Sequence, residues 1–365
     1  MNYVSAFQDK HFDQKISDLQ KELRREHDLQ SNYEAKLSEG KPQDHKPTSD
    51  SSQYEGPSKT RSALAKKYHI KYQDTIDPTE DGVKQLDGMI GLKSVKDLIK
   101  HYIASAEIDQ RARELGQDNK MASLNMIFMG NPGTGKTEVA RIVGKILFQK
   151  HIVKKPLFLE CSARDLMSTL VGGALLKTHK LMQRARGGVL FIDEAYVLAP
   201  TGDQGDAENS TKNDAVSELL RMAENHRHDT VVILAGYQDK MEELINKSNE
   251  GLRSRFNHKV LFPDYSNHEM YQIFMYHAKK THCILGPKEK DFLKSKLSYF
   301  IKYSKKHHEN SNARLMRNLL HMVISCHEYR IATHAKDIHK LTLGDINTIS
   351  LDDLDQGFKR TENNE

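Results

Sequence analysis

The sequence predicts an α/β core, in which a parallel sheet carries helices on both faces, followed by a small all-α domain. The first observation is a set of apolar segments typical of buried strands, at residues 124–129, 188–192 and 230–235. The second is that helical stretches alternate with these segments, which is the pattern of a parallel sheet. The third is that residues 266–355 contain apolar stripes at helical spacing and no strong strand signal.

The most specific motif is a glycine-rich loop between the first predicted strand and a helix predicted over residues 137–149. The loop reads GNPGTGKT at residues 130–137 and fits the phosphate-binding pattern G-x-x-x-x-G-K-S/T at every fixed position. Its glycines let backbone N–H groups surround a polyphosphate, and the helix N-terminus adds positive potential. Lys136 is predicted to reach the terminal phosphates and Thr137 to ligate Mg²⁺. The flanking strand and helix argue against a chance glycine-rich turn.

Two acidic residues, Asp193 and Glu194, come directly after the second predicted strand. Without a further motif, an acidic residue directly after a strand is usually interpreted as the N-cap of the next helix. With the phosphate-binding loop upstream, the pair is interpreted instead as a Walker B motif. Asp193 is then predicted to hold the Mg²⁺ shell and Glu194 to polarise the attacking water. Because ligands bind at the carboxyl ends of parallel strands, we expect these residues and Tyr237, after the third strand, to converge.

Further phrases extend this series of motifs along the chain: MIGLKSVK at 89–96, GGVLFIDEAYVL at 187–198, VVILAGY at 231–237, GLRSRF at 251–256 and NARLMRN at 312–318. With these phrases in this order, residues 86–350 resemble the AAA+ ATPases of the CbxX/CfqX type, a group that includes red-type Rubisco activase and stage V sporulation protein K. The FIDEAY and LAGY phrases are specific to this branch. The resemblance implies a P-loop NTPase core with a helical lid, and ATP and Mg²⁺ as cofactors.

The resemblance also implies roles for individual residues. Arg255 matches the arginine finger, which reaches into the nucleotide site of a neighbouring subunit, and Arg253 is close enough to compete for that role. Arg314 matches the sensor-2 arginine, which reports the terminal phosphate to the lid, and Arg317 follows one helical turn later. The residues expected to bind ATP are Ile90, Gly91, Leu92, Asn131, Pro132, Gly133, Thr134, Gly135, Lys136, Thr137 and Glu138, the first three of them around the adenine.

Two positions depart from the usual AAA+ pattern. Tyr237 stands at the sensor-1 position, where most members carry a polar residue such as Asn. Its hydroxyl either orders the attacking water or has no role beyond packing of the ring. In the expected pore loop, the chain reads Leu170-Val171-Gly172, where related threading ATPases have an aromatic residue. The apolar side chains still allow packing on an extended peptide, but with weaker traction.

Composition limits the class of protein. The 37% hydrophobic and 29% charged residues are typical of a soluble protein, and no apolar run approaches the ~18 residues that cross a membrane. The first residues lack a secretory pattern, and the three cysteines form no C-x-x-C motif, so a cytoplasmic location is predicted. A net charge of +5 without a contiguous basic stripe argues against nucleic acid as a partner.

The chain is predicted to contain six segments. They are a charged N-terminal helix at 1–37, a disordered linker at 38–62, an approach segment at 63–85, the ATPase core at 86–265, a helical lid at 266–355 and a disordered tail at 356–365. The tail and the linker are assigned from their low apolar content.

The leading functional hypothesis is an oligomeric ATPase, expected to be a homo-hexameric ring, that remodels a protein client. A second hypothesis is a slow ATPase timer or assembly factor, which binds its partners through residues 1–85. The non-aromatic pore loop and the N-terminal extension favour it. A third is a nucleic-acid motor, which would show steeply salt-dependent binding of DNA or RNA. The sequence does not identify the client.

Overall fold

The computed structural model describes residues 59–117, 123–170, 172–200, 207–248, 250–306, 311–335 and 337–362. The predicted helix at 1–37 lies outside these residues, as do residues 38–58 of the predicted linker, Val171 and residues 363–365 of the predicted tail. The predicted disordered linker is wrong over residues 59–62, which form the start of a helix. None of the helices in the described ranges combines the length and the apolar character that crossing a membrane requires.

The described residues of the core contain five strands, which are β1 (Met126–Gly130), β2 (Phe158–Ser162), β3 (Val189–Asp193), β4 (Val231–Gly236) and β5 (His258–Phe262). They form one sheet with the order β2-β3-β4-β1-β5. All neighbouring strands are parallel, which confirms the predicted parallel sheet. Strand β2 is missing from the sequence-based prediction because it lies at an edge, where part of the strand is exposed and its apolar signal is short.

Helices cover both faces of the sheet. The helices of this part are α1 (Lys59–Tyr68), α2 (Gly82–Gly88), α3 (Lys93–Glu114), α4 (Lys136–Gln149), α5 (Gly173–Ala185), α6 (Ala207–Asn225), α7 (Gln238–Lys247) and α8 (Glu250–Arg255). Alternate residues of β1 point into opposite apolar clusters, Phe128 towards α3 and α4, and Ile127 towards α5, α6 and α7.

A helical domain follows the last strand, as predicted. It contains α9 (Asn267–Lys280), α10 (Pro287–Lys306), α11 (Ala313–His334), α12 (Leu343–Asn347) and α13 (Leu351–Glu362). Helix α9 starts at a capping box, in which the Ser266 hydroxyl accepts from the Glu269 N–H and the Glu269 carboxylate accepts from the Ser266 N–H. The apolar cluster on one face of the sheet continues into this domain through Phe274 and Leu319.

The predicted disordered tail at 356–365 is wrong over residues 356–362. Helix α13 continues to Glu362, and the Phe358 side chain is buried with its ring centroid 5.2 Å from that of Phe300. Leu354 and Phe358, four residues apart, form the buried apolar face of a helix whose other residues are mainly polar. The segment therefore has low apolar content but still packs on α10 and α11.

A buried polar cluster joins α11 to α13. The Asp353 carboxylate accepts from Arg330 Nε at 2.7 Å and Nη2 at 2.9 Å, and it lies 3.1 Å from His327 Nδ1. The Ser350 N–H donates to the same carboxylate at 2.9 Å. Burial alone would raise the pKa of Asp353, but these hydrogen bonds outweigh it and lower the pKa to about 2.

Candidate active site

A cleft of about 610 Å³ lies at the carboxyl ends of β1, β3 and β4, between the sheet and the helical domain. It is lined by backbone and side chains from both parts of the molecule. The predicted site residues among its lining are Ile90, Pro132, Gly133, Gly135, Lys136, Thr137, Glu138, Asp193, Glu194, Tyr237 and Arg314. The parallel strands thus bring together motifs that are more than a hundred residues apart in the chain.

The glycine-rich loop connects β1 to α4 and forms the floor of the cleft. Gly133 and Gly135 both have left-handed backbone conformations, with φ of +69° and +92°. The Lys136 ammonium donates to the carbonyls of Gly130 and Asn131, each at 2.8 Å. Burial lowers the pKa of Lys136, and Asp193 opposes this effect. The lysine is therefore held at the loop, where a bound phosphate would replace its carbonyl partners.

Asp193 and Glu194 lie at the end of β3, across the cleft from the loop. The Glu194 N–H donates to Asp193 Oδ1 at 2.9 Å. Glu194 itself has a left-handed backbone, with φ of 52° and ψ of 34°, which is uncommon for a residue other than glycine. Asp193 and the Thr137 hydroxyl offer hard oxygen ligands, the kind that Mg²⁺ prefers.

Asp193 and the Thr137 hydroxyl would need further ligands to complete the coordination of a bound cation. No group of three or more His, Cys, Asp or Glu side chains that could hold a metal ion occurs in the part of the chain that the structure describes. A Mg²⁺ ion that keeps several waters and binds phosphate oxygens needs only one or two protein ligands. The donor set therefore fits Mg²⁺ bound together with a nucleotide, rather than a metal site formed by protein alone.

The start of α11 contacts the glycine-rich loop directly. The Ala313 N–H donates to the Gly133 carbonyl at 3.1 Å, and Asn312 Nδ2 donates to the Pro132 carbonyl at 3.2 Å. A Cβ atom on Gly133 would lie 1.9 Å from the Ser311 carbonyl oxygen. Glycine at 133 thus permits the close approach of the helical domain, while Arg314, the second residue of α11, faces the cleft.

Asp264 and Asn312 tie this contact to the chain that leads from the sheet into α9. Asp264 Oδ1 accepts from Asn131 Nδ2 and from Asn312 Nδ2, each at 2.9 Å. The Tyr265 N–H donates to Asn312 Oδ1 at 3.0 Å. The Tyr265 hydroxyl donates to the Thr134 carbonyl at 3.3 Å, and burial raises the pKa of Tyr265 to about 12, so it stays a donor. Sequence analysis placed Asn131 and Thr134 among the ATP-binding residues but assigned no role to Asp264, Tyr265 or Asn312.

The segment predicted to surround the adenine is only partly in the cleft. Ile90 lines the cleft, whereas Leu92 is buried beneath it and its side chain lies near Gly135. Gly91 has φ of +64° and contacts the start of α9, since a Cβ there would lie within 2.8 Å of the Glu269 carboxyl group. Residues of the helical domain that sequence analysis missed complete this side of the cleft: Ile273, Tyr276, His277 and Lys280.

Arg255 is not part of the cleft lining of its own chain. It ends α8, with its Nε 3.3 Å from Glu224 Oε2. The competing Arg253 donates to the Ile245 carbonyl at 3.2 Å and to Asn246 Oδ1 at 2.8 Å. Both guanidinium groups therefore have partners within the chain, Arg253 as an exposed residue and Arg255 as a half-buried one.

The predicted pore segment lies before α5, away from the cleft. Leu170 is half-buried, and Gly172 has φ of +74° at the N-cap of α5. Val171 lies between them but outside the described residues. Tyr237 follows β4 and lines the cleft, where its ring centroid is 5.6 Å from that of Tyr196. Sequence analysis missed Tyr196, although it is part of the FIDEAY phrase.

Comparison with family models supports both parts of the fold. The model described as "ATPase family associated with various cellular activities (AAA)" matches residues 126–264, and the model described as "AAA lid domain" matches residues 266–364. The crystal structure of the FIGL-1 AAA domain superposes with a TM-score of 0.53 at 16% identity, covering 85% of this chain and 92% of that one. At this identity, the likeness is evidence for the fold alone.

Curated relatives match at higher sequence identity than the FIGL-1 structure. Protein CbbX of Cereibacter sphaeroides is 38% identical over 64% of this chain and 72% of its own length. A chloroplastic ribulose bisphosphate carboxylase/oxygenase activase of Cyanidioschyzon merolae is 37% identical over 73% of this chain and 87% of its own length. Stage V sporulation protein K of Bacillus subtilis is 33% identical over 68% of this chain and 75% of its own length.

Proposed function

Because the chain belongs to the AAA+ ATPases, together with CbbX, CfxQ and stage V sporulation protein K, we propose that ATP bound with Mg²⁺ in the cleft powers the remodelling of a protein client by a homo-oligomeric ring. ATP hydrolysis is the activity of this family. The proposal concerns the residues that perform it, the cation, the assembly and the client. It rests above all on one observation, the convergence of Lys136, Thr137, Asp193 and Glu194 in one cleft.

The four residues have complementary tasks in phosphoryl transfer to water. The Lys136 ammonium binds the terminal phosphates and neutralises the charge that develops on them. Thr137 and Asp193 would hold Mg²⁺, which would supply positive charge to neutralise the phosphates. Glu194 accepts a hydrogen bond from the attacking water and orients it in line with the terminal phosphate. The backbone N–H groups at the start of α4 surround the phosphates.

Coupling between nucleotide and lid is proposed to pass through the start of α11. Arg314 reaches the terminal phosphate from the lid side, and Arg317 lies one turn further on the same cleft wall. Loss of the terminal phosphate removes the charge that holds Arg314, and the angle between core and lid then changes. The hydrogen bonds of Asn312 and Ala313 to the loop transmit this change.

The assembly is proposed to be a hexamer in which Arg255 of one subunit completes the site of its neighbour. An arginine that reaches the transition-state charge in this way is worth about 10³-fold or more in rate. Its position outside the cleft of its own chain supports a role in trans. In the closed ring, each subunit supplies one finger and one cleft, so every interface carries one active site.

The client is proposed to be a protein with an extended segment that contacts the Leu170-Val171-Gly172 loop. The protein is proposed to act in the cytoplasm. The name of the algal relative gives Rubisco as the protein that it activates. A slow timer that binds partners through residues 1–85 is the second candidate, favoured by the lack of an aromatic residue in that loop. Nucleic acid is the least favoured partner.

The proposed chemistry is tested by ATP turnover of the full chain and its Glu194→Gln variant, with and without EDTA. We expect EDTA to abolish turnover and Glu194→Gln to lower it by about 10²-fold or more while ATP binding is kept. The matched control is Glu243→Gln, at an exposed ion pair with Lys247 outside the cleft, which should leave turnover within twofold. Full turnover by Glu194→Gln would refute the assignment of the catalytic carboxylate.

A further inference from the structure

The carboxylate of Glu194 has a hydrogen-bond partner that neither its motif nor the family comparison assigns. The Tyr196 hydroxyl donates to Glu194 Oε1 at 3.3 Å. The contact is possible because the left-handed backbone of Glu194 is followed at once by the short 3₁₀ helix Ala195–Leu198. That tight turn brings the side chain two residues later back towards the carboxylate, at the end of β3.

The ring of Tyr196 is fixed by groups from the end of β4 and from α7. It lies 5.6 Å from the ring of Tyr237, at an interplanar angle of 53°. The Lys240 ammonium lies over both rings, 4.7 Å from the centroid of Tyr196 and 5.2 Å from that of Tyr237. A Cβ atom on Gly236 would lie 2.7 Å from Tyr196 Cδ1, so only glycine at 236 leaves room for the ring.

The electrostatics keep the phenol in its donor form. Burial, with the negative charge and the hydrogen bond of Glu194, raises the pKa of Tyr196 to about 12. The hydroxyl therefore keeps its proton at any pH near neutrality, and the hydrogen bond to the carboxylate persists. The Lys240 cation over the two ring faces adds a favourable cation–π contact on the side exposed to solvent.

We propose that Tyr196 is a positioning residue for Glu194, and that Tyr237 and Lys240 act by holding the Tyr196 ring. The inference rests on the proposed role of Glu194 in orienting the attacking water. One carboxylate oxygen bonded to Tyr196 leaves the other to accept from that water, so the phenol selects one rotamer of the glutamate. Tyr237, at the predicted sensor-1 position, supports Tyr196 by ring packing.

The test compares Tyr196→Phe with the native chain, because phenylalanine keeps the ring and removes only the donor. We expect the kcat for ATP to fall by about tenfold, with KM and nucleotide affinity within twofold, since the hydrogen bond orients the carboxylate without touching ATP. The matched control is Tyr329→Phe, at an exposed tyrosine of α11. Tyr237→Phe, which keeps the supporting ring, should lose less turnover than Tyr196→Phe.

A double-variant cycle separates positioning from a general structural effect. In single-turnover reactions with the protein in excess, Tyr196→Phe should add less than a twofold loss once Glu194→Gln is present, because the carboxylate that it orients is gone. A full tenfold further loss, a native kcat for Tyr196→Phe, or an equal fall in nucleotide affinity would overturn the inference. Failure of the proposed function would appear separately, as native turnover by Glu194→Gln alone.

Discussion

Gly133 shows how a single position can serve both the phosphate loop and the lid. Its φ of +69° lies in the left-handed region, and a side chain there would meet the Ser311 carbonyl. The loop needs the backbone conformation to direct its N–H groups at phosphate, and the lid needs the free space. Two separate requirements on one residue explain why glycine stands here, at a position that the G-x-x-x-x-G-K-S/T pattern leaves open.

Replacement of Gly133 by alanine tests the close approach of the lid to the phosphate-binding loop. Alanine at a left-handed position costs about 1 kcal/mol in backbone strain, and displacement of the Ser311 carbonyl adds to it. We expect Gly133→Ala to weaken ATP binding at least about tenfold, measured by titration with a fluorescent nucleotide. The control is Gly116→Ala, with φ of +83° but no atom within 4 Å of the added Cβ, which should bind normally. Equal nucleotide affinity in both variants would show that the contact with the lid is unimportant.

The start of α11 is the element that links the nucleotide loop to the lid. Asn312 is buried and has an unusual backbone, with φ of 51° and ψ of −123°. Its amide joins the Pro132 carbonyl, the Asp264 carboxylate and the Tyr265 N–H. A buried side chain with partners on the loop, the connecting segment and the helix can hold the core–lid angle.

Removal of the Asn312 amide should loosen this link. We expect Asn312→Ala to lower the free energy of unfolding by about 1–3 kcal/mol, because it leaves buried polar groups without their partner. The measurement is urea denaturation followed by circular dichroism. Asn267→Ala is the control, since the Asn267 amide makes an exposed hydrogen bond to Ser298 and should cost less than ~0.5 kcal/mol. If Asn312→Ala is as stable as this control, the link carries no stability.

Helix α13 depends on the buried Asp353 carboxylate. Its folded-state pKa of about 2 lies below the ordinary value of 3.8, so the carboxylate stabilises the fold above pH ~4 and loses this contribution as the pH falls towards 2. The shift corresponds to about 2 kcal/mol at neutral pH. Asp353→Asn should therefore destabilise the protein by about that amount at pH 7, and the difference from the native chain should shrink by about 1 kcal/mol between pH 5 and pH 3.

The check on Asp353→Asn is chemical denaturation at several pH values between 3 and 7. Asp291→Asn serves as the control, because Asp291 is exposed on α10 with only a weak ion pair to Lys294, and it should change stability little at any pH. A difference between Asp353→Asn and the native chain that stays constant down to pH 3 would contradict the role of the ionised carboxylate.

The parts of the fold that sequence could predict are those with a local signal. The central strands β1, β3 and β4 are continuous apolar runs because both faces of each are covered. Strand β2 and the end of α13 lack such runs, since each buries only part of its surface. Their positions follow from tertiary packing, so the sequence alone indicated neither.

The same division applies to the site. The sequence predicts the residues of the phosphate-binding loop and the Walker B pair because these motifs require particular residue types at a fixed spacing. They are Lys136, Thr137, Asp193 and Glu194, and the sequence also predicts that they meet at the carboxyl ends of the strands. The sequence assigned no role to Tyr196, Asp264 or Asn312. Asp264 and Asn312 are placed by contacts between distant segments, and Tyr196 by a backbone turn, and no rule of motif spacing predicts either. Arg255 remains a prediction, because its proposed partner site lies on another copy of the chain.

The whole molecule places one cleft between a sheet domain and a lid that share a continuous apolar cluster. Nucleotide in that cleft would contact both parts, and on the proposed function its binding and hydrolysis change their angle. In a ring, this change also moves the neighbouring subunit, because Arg255 is proposed to reach the neighbour's nucleotide. The central claim is therefore that the active site is complete only between two copies of the chain.

The most direct test mixes Arg255→Ala, which keeps Glu194, with Glu194→Gln, which keeps Arg255, and measures ATP turnover. Each variant alone is expected to be inactive, and an equal mixture should restore activity at about a quarter of the interfaces. The specific activity of the native chain should also rise with protein concentration. Arg111→Ala, at an exposed ion pair with Glu114, is the control and should keep native turnover. No recovery on mixing, or native activity of Arg255→Ala at every concentration, would contradict a shared site.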